Sequence, residues 1–187
     1  MKTRLTEQFG IRHPMLSAPM ALVAGGRLVA AVSDAGGLGI LGGGYAGALG
    51  GEPDLAQELR LVEGRKFGVG FITWALDRAP QALDEVLKRS PYCVFLSFGD
   101  PQPFAAKVHD AKAKLICQVQ TLRHVDQALD AGADAIVAQG AEAGGHGAAR
   151  ATLPLVPEVA GYLAKRAPRR CCLRREELPM AEGLLPL

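Results

Sequence analysis

Short apolar runs rich in Val, Ile, Leu and Phe recur along the chain, and each is followed by a stretch whose apolar residues return at helical spacing. The runs lack strict polar alternation, which is typical of strands that are covered on both faces. Alternation of such strands with helices predicts a parallel sheet. The six predicted strands are residues 15–20, 38–41, 67–72, 92–97, 115–119 and 135–139.

Six strand-and-helix units of about 25 residues favour a (β/α)8 barrel over a doubly wound sheet, although periodicity alone does not separate the two folds. A complete barrel takes about 250 residues and eight units. We therefore expect residues 1–166 to form an incomplete TIM-type barrel domain, with units missing at the C-terminal end.

Residues 167–187 have a different composition. Arginines cluster beside the adjacent Cys171 and Cys172, and apolar residues no longer recur at a regular spacing. A solvated basic tail is one interpretation. A metal site is disfavoured, since no second Cys or His pair lies at ligand spacing. A third interpretation is out-of-frame translation from about Arg169 onward, because the preceding frame of GC-rich codons restores an apolar strand, a glycine turn and a helix start.

The composition and net charge of the chain disfavour some classes of binding partner. The chain is 49% hydrophobic and 21% charged, with a formal net charge of +2, so neither nucleic acid nor an anionic membrane is an expected partner. No apolar run approaches the roughly 18 residues of a membrane span. Four cysteines without a secretory leader pattern predict a reducing, cytoplasmic location.

The most informative candidate for chemistry is His146, which lies among glycines after the predicted strand 135–139. A TIM barrel keeps its active site at the carboxyl ends of its strands. A histidine imidazole titrates near neutral pH, so His146 is a candidate general base. The alternative is a loop histidine that is hydrogen-bonded to the backbone. Glu142 either orients His146 or caps the turn.

Other candidates carry weaker signals. The glycines of residues 36–44 flank a predicted strand on both sides, which disfavours a dinucleotide-binding fingerprint and indicates close backbone approach. The cysteines Cys93 and Cys117 lie inside predicted strands and are expected to be small buried hydrophobes. Trp74 either lines the mouth of a pocket or covers the edge of the core. The remaining histidines, His13, His109 and His124, are predicted to lie on the surface.

Three segments together resemble the nitronate monooxygenase family, also called 2-nitropropane dioxygenase-like proteins. They are residues 14–20 (PMLSAPM), 36–39 (GGLG) and 139–146 (QGAEAGGH). The resemblance runs from about Thr6 through Arg166, and the third segment is its most specific part. It implies a flavoprotein: an FMN-dependent TIM-barrel oxidoreductase whose FMN phosphate site follows the seventh and eighth strands.

The resemblance also implies roles for individual residues. His146 is the expected catalytic base. The expected cofactor contacts are Ala18, Pro19, Met20, Thr73, Gln118, Gln139, Gly144 and Gly145.

The implied reaction is oxidation of an alkyl nitronate, or a nitroalkane, with O2 to a carbonyl compound and nitrite. An alternative keeps the barrel and FMN but uses NAD(P)H to reduce a quinone or an enoyl thioester. A further alternative is an inactive truncated fragment that does not hold flavin. The expected partners are a small molecule and O2, with a homo-oligomer as an open alternative.

Overall fold

The computed structural model describes residues 2–46, 54–168 and 170–175. Helices and strands alternate through most of this part of the chain. The strands are β1 (Gly39–Gly44), β2 (Phe67–Ile72), β3 (Cys93–Ser97), β4 (Lys114–Val119), β5 (Ala135–Gln139) and β6 (Cys171–Arg175). The helices are α1 (Arg4–Phe9), α2 (Gly26–Asp34), α3 (Leu55–Arg60), α4 (Thr73–Leu76), α5 (Gln81–Leu87), α6 (Gln102–Asp110), α7 (Leu122–Asp130) and α8 (Thr152–Arg166).

All six strands form one sheet in chain order, β1 to β6. Each neighbouring pair is parallel, with registers such as Gly70 opposite Phe95 and Gln118 opposite Val137. The predicted parallel sheet is confirmed, and five of the six predicted strands lie within a few residues of their predicted bounds. The fold is an incomplete TIM-type barrel.

The prediction of a regular strand over residues 15–20 is wrong. This segment runs beside β1, but it pairs there through an isolated parallel bridge, between Leu16 and Leu38, instead of a continuous ladder. The Ser17 hydroxyl accepts the Ile40 N–H at 2.7 Å, a bond that a backbone carbonyl accepts in a regular ladder. Pro19 has no N–H to donate, so the pairing does not continue toward Met20.

Strand β6 is the second difference, because no regular element was expected after Arg166. Residues 171–175 pair with β5 through the backbone, from Ala135 opposite Cys171 to Gln139 opposite Arg175. Backbone pairing needs no apolar period, which is why this strand is hidden in an arginine-rich sequence. The proposed boundary at residue 166 and the frame hypothesis stay predictions, and residues 176–187 lie outside the described part.

The core has two layers because side chains alternate between the two faces of each strand. One layer fills the barrel interior and consists of Leu5, Phe9, Ile11, Leu38, Ile40, Cys93, Phe95, Ile116, Ala135 and Val137. The other layer lies between the strands and the surrounding helices, and includes Leu41, Val69, Leu96, Leu115 and Ile136. This arrangement leaves the carboxyl ends of the strands as the open mouth of the barrel.

Helix α1 closes the opposite end of the barrel. Its Phe9 side chain is fully buried in the interior layer. The Gln8 amide donates to the Asp134 carbonyl at 2.8 Å, and Lys66 donates to the Phe9 carbonyl at 2.9 Å. Thr3 and Thr6 form a capping box that starts the helix. None of the described helices combines the length and apolar character that crossing a membrane requires.

Close packing between Pro19 and the backbone of β2 depends on Gly70. A Cβ atom at Gly70 would lie 2.3 Å from the Pro19 Cβ. We therefore expect Gly70→Ala to force a backbone shift and to lower the free energy of unfolding by about 1–3 kcal/mol. Urea unfolding followed by circular dichroism measures this change.

Gly161→Ala is the matched control, because Gly161 lies on the exposed side of α8 with no atom within 4 Å of the added Cβ. Alanine favours a helix over glycine by up to about 1 kcal/mol, so this variant is expected to be more stable. Equal stability of the two variants would contradict the packing argument.

Candidate active site

Two aromatic side chains contact the imidazole of His146 at the mouth of the barrel, and a third packs on one of them. The Tyr45 hydroxyl lies 3.0 Å from His146 Nε2, and the Phe98 ring lies 5.9 Å from the imidazole between centroids. Trp74 packs on Tyr45 with centroids 5.7 Å apart. These four residues, Tyr45, Trp74, Phe98 and His146, are called the aromatic cluster below. They follow β1, β2, β3 and β5 respectively.

Three buried glutamines lie beneath the aromatic cluster. Gln139 Oε1 accepts hydrogen bonds from Gln118 Nε2 at 2.6 Å and from Gln120 Nε2 at 3.0 Å. Gln139 Nε2 donates to the His146 carbonyl at 2.6 Å. Because Gln139 is fully buried, it fixes the backbone of His146 to the end of β5.

Glu142 caps helix α8. Its carboxylate accepts hydrogen bonds from the Thr152 hydroxyl at 2.6 Å and from the Thr152 backbone N–H at 2.7 Å. These bonds, the hydroxyl first, lower the pKa of Glu142 below its ordinary value of 4.5. No hydrogen bond joins Glu142 to His146 among the described residues. Of the two roles left open by the sequence, the structure shows the cap.

The loop that carries His146 is closed at its base. The Ala141 N–H donates to the Arg150 carbonyl at 2.7 Å. Gly140 packs on Thr152 so closely that a Cβ would lie 2.1 Å from the Thr152 Oγ1. Gly145 adopts a left-handed φ of +80°, which favours glycine. The tip of the loop, with Gly145 and His146, is exposed.

The other predicted cofactor contacts lie at the same end of the sheet. Ala18, Pro19 and Met20 are half-buried. Pro19 packs on Gly70 of β2, and the Met20 backbone lies so close to Gly42 of β1 that a Cβ there would sit 2.4 Å from the Met20 carbonyl oxygen. The Met20 carbonyl also accepts the Ala24 N–H at 2.8 Å.

Thr73 is the first residue of α4 and is fully buried. Its Oγ1 has no hydrogen-bond partner among the described residues. An unpaired buried hydroxyl costs free energy unless a ligand or water satisfies it. Thr73 is therefore the polar group of this region that is best suited to receive a ligand.

Sequence reasoning missed three residues of the site: Tyr45, Phe98 and Gln120. Each directly follows or lies next to the end of a strand, which is the signal that was available. Their contacts with His146 and Gln139 join strands that are distant in sequence, so no local pattern shows them.

The remaining candidates have structural roles. Burial raises the pKa of the Cys93 and Cys117 thiols to about 12, so both are confirmed as buried hydrophobes. Trp74 lines the mouth, with 39% of its surface exposed.

The surface prediction for the three remaining histidines is right for one of them. His109 is exposed, as predicted, whereas His13 and His124 are half-buried. His124 lies 3.1 Å from Gln120 Oε1, and burial lowers its pKa.

Comparison with known families identifies the chain. The sequence profile described as nitronate monooxygenase matches residues 2–69 and 72–164. The chain belongs to the nitronate monooxygenase family. The resemblance seen in the sequence is thereby confirmed.

Curated relatives of this family member include two kinds of enzyme. The (3aS,4S,5R,7aS)-5-hydroxy-7a-methyl-1-oxo-octahydro-1H-indene-4-carboxyl-CoA dehydrogenase of Rhodococcus jostii is 34% identical over 85% of this chain and 44% of its own length. A nitronate monooxygenase of Neurospora crassa is 34% identical over 83% of this chain and 50% of its own length. The chain thus spans about half the length of the curated relatives that it matches.

Solved structures of similar fold include FabK from Thermotoga maritima, with a TM-score of 0.75 and 28% identity over 94% of this chain and 61% of that chain. A nitroalkane oxidase from Streptomyces ansochromogenes gives a TM-score of 0.70 and 26% identity, over 92% of this chain and 67% of that chain. Both support the barrel assignment.

The cap formed by Glu142 makes stability depend on pH. The folded-state pKa of Glu142 lies below the ordinary value of 4.5, so its contribution is fully present above that pH and is lost as the pH falls through the folded-state pKa. We expect Glu142→Gln to lower the urea midpoint at neutral pH, and the gap from wild type to close as the pH falls below 4.5 through the folded-state pKa of Glu142.

Glu85→Gln is the control, because Glu85 forms an exposed ion pair with Lys88 that contributes little. A gap between wild type and Glu142→Gln that does not narrow as the pH falls below 4.5 would refute the capping role.

Proposed function

We propose that this chain carries the core of an FMN-dependent oxidoreductase that oxidises alkyl nitronates with O2 to a carbonyl compound and nitrite, and that His146 is the base that forms the nitronate from a neutral nitroalkane. The observation that carries the proposal is the placement of His146. Its imidazole lies in the aromatic cluster at the barrel mouth, and Gln139 holds its backbone. Family membership and the Neurospora crassa relative support the same reaction.

The chemistry fits a histidine in this setting. A carbon next to a nitro group is acidic, and an imidazole that titrates near neutral pH is suited to remove its proton. The Tyr45, Trp74 and Phe98 rings provide an apolar wall for the organic part of a small substrate. The exposed loop tip gives the substrate access to the imidazole.

The residues at the mouth fit a flat cofactor. The buried Thr73 hydroxyl lacks a partner in the described structure, and the half-buried Ala18, Pro19 and Met20 lie at the same end of the sheet. Gly144 and Gly145 add backbone without side-chain bulk. When bound, FMN supplies the electron transfer and the reactivity with O2.

Gln118 and Gln139 fit a contact with FMN less directly, because their recorded hydrogen bonds run to each other and to the His146 carbonyl. We propose that they support the site from below. The small-molecule substrate and O2 are the proposed partners, and the cytoplasm is the proposed location.

A second candidate function is oxidation or reduction of a coenzyme A thioester, with NAD(P)H as the electron donor for reduction. The Rhodococcus jostii relative, and another in Mycobacterium tuberculosis at 34% identity, are named carboxyl-CoA dehydrogenases. An enoyl thioester, or a quinone as the electron acceptor, would use the same barrel mouth.

Thr73 provides a test of cofactor binding with two readouts. Thr73→Val removes an unpaired buried hydroxyl, so the flavin-free chain is expected to be more stable by about 1 kcal/mol. The same change removes a hydrogen bond to FMN, so the Kd for FMN is expected to rise about tenfold. Urea unfolding and flavin fluorescence titration measure the two effects.

Thr121→Val is the matched control. Thr121 caps α7 by accepting the His124 N–H at 3.2 Å, so its loss is expected to destabilise the chain by about 1 kcal/mol. It is expected to leave the Kd for FMN unchanged. FMN affinity that is unaltered by Thr73→Val would remove Thr73 from the binding site.

Nitrite release by the FMN-loaded, 187-residue chain from nitroethane, a neutral nitroalkane that still carries the proton the base removes, tests the reaction. We expect His146→Ala to reduce the rate by at least about a hundredfold, the usual contribution of a general base. His109→Ala is the control, because His109 is an exposed histidine on α6.

The other results of this assay separate the alternatives. NAD(P)H consumption with an enoyl thioester or quinone, without nitrite release, would favour the second candidate. A purified chain that retains no flavin absorbance after incubation with FMN and removal of the unbound FMN would support the inactive-fragment alternative.

A further inference from the structure

The Tyr45 hydroxyl and the His146 imidazole meet across the mouth of the barrel. The two residues are 101 positions apart in sequence, and their side chains meet through a 3.0 Å hydrogen bond to Nε2. The rings pack edge to face, with centroids 6.0 Å apart and planes at 69°. Among the described residues, no other side chain forms a hydrogen bond with this imidazole.

The backbone around His146 does not orient its side chain. Gln139 holds the His146 carbonyl, but that bond leaves the side-chain torsions free. Gly145 and Gly147 flank the residue, and a Cβ at Gly147 would meet no atom within 4 Å. The loop tip is exposed, so local packing along the chain does not hold the ring.

Tyr45 is itself held in place from the other side. Trp74 packs on its ring at a tilt of 57°, and Phe98 packs on the imidazole at a tilt of 56°. Tilted aromatic pairs are favoured geometries with directional preference. The Tyr45 hydroxyl is thus presented to Nε2 from a fixed direction, while the imidazole comes from a glycine-flanked loop.

We propose that Tyr45 is the positioning residue for the base, and that its hydroxyl accepts the Nε2 hydrogen of neutral His146. The bond made by one imidazole nitrogen decides which nitrogen carries the hydrogen. With the hydrogen on Nε2, the lone pair of Nδ1 is free to take the substrate proton while the bond to Tyr45 is kept. This inference rests on the proposed role of His146 as a base.

Tyr45→Phe is the direct test, because it removes the hydroxyl and keeps the ring. The first readout is long-range 1H–15N NMR of the 15N-histidine-labelled chain at a pH where the imidazole is neutral, which needs neither flavin nor turnover. We expect the Nε2–H tautomer of His146 in wild type and a mixture of tautomers in Tyr45→Phe. The other three histidines of the chain are internal references.

The second readout is the kinetics of nitrite release from nitroethane, whose oxidation begins with removal of a proton by the base. A misoriented base slows proton transfer without weakening substrate binding, so kcat is expected to fall about tenfold with KM nearly unchanged. The matched control is Tyr162→Phe, which removes a tyrosine hydrogen bond to Asp126 on the outer helices. Trp74 is the chain's single tryptophan, so its fluorescence reports whether the aromatic cluster is intact in each variant.

The outcomes distinguish this inference from the proposed function. Nitrite release that survives in His146→Ala would overturn both. Release that is abolished in His146→Ala, with the His146 tautomer and kcat unchanged in Tyr45→Phe, would overturn the positioning role alone. A wild-type spectrum with the hydrogen on Nδ1 would also overturn it.

Discussion

Parallel pairing of the strands in chain order, with curvature, is the constraint on which the site depends. In a flat sheet β1 and β5 would be about 19 Å apart, since neighbouring strands are spaced by roughly 4.8 Å. Tyr45 and His146, which follow these two strands, instead form a hydrogen bond. The interior layer, which includes Phe9 of α1, fills the concave side of the sheet. Because all strands run the same way, one mouth collects residues from four strand ends.

Apolar runs predicted most of this sheet because buried strands need apolar residues on both faces. The two differences between the predicted and the observed strands have one cause: strand pairing depends on backbone groups and on the neighbouring strand, whereas the prediction uses side-chain composition. Residues 15–20 have the composition of a strand, yet Pro19 and the Ser17 hydroxyl interrupt the ladder. Residues 171–175 lack that composition, yet β5 offers them a complete set of partners. Helices α1 and α4 are too short for an apolar period to show.

The site was predictable where a residue type and its local neighbours suffice. Glycines around a histidine at a strand end predicted an exposed and accessible side chain, and in the structure His146 lies at the exposed tip of its loop. The two roles of Glu142 were indistinguishable in sequence, because the choice depends on Thr152 ten residues later. Tyr45 was out of reach for a stronger reason, since its contact requires the curvature of the entire sheet.

The buried polar groups at the mouth of the barrel are of two kinds. The Gln139 amide is hydrogen-bonded and holds the His146 loop, whereas the Thr73 hydroxyl lacks a partner in the described structure. Gln139 uses both ends of its amide, accepting from two glutamines and donating to the His146 carbonyl. A buried amide that is hydrogen-bonded at both ends stabilises one arrangement and has less to offer a cofactor. The Thr73 hydroxyl is equally buried but lacks a partner in the described structure. Since a buried hydroxyl without a partner is costly, the proposed cofactor role suits Thr73 better than the glutamines, whose hydrogen bonds hold the backbone of His146.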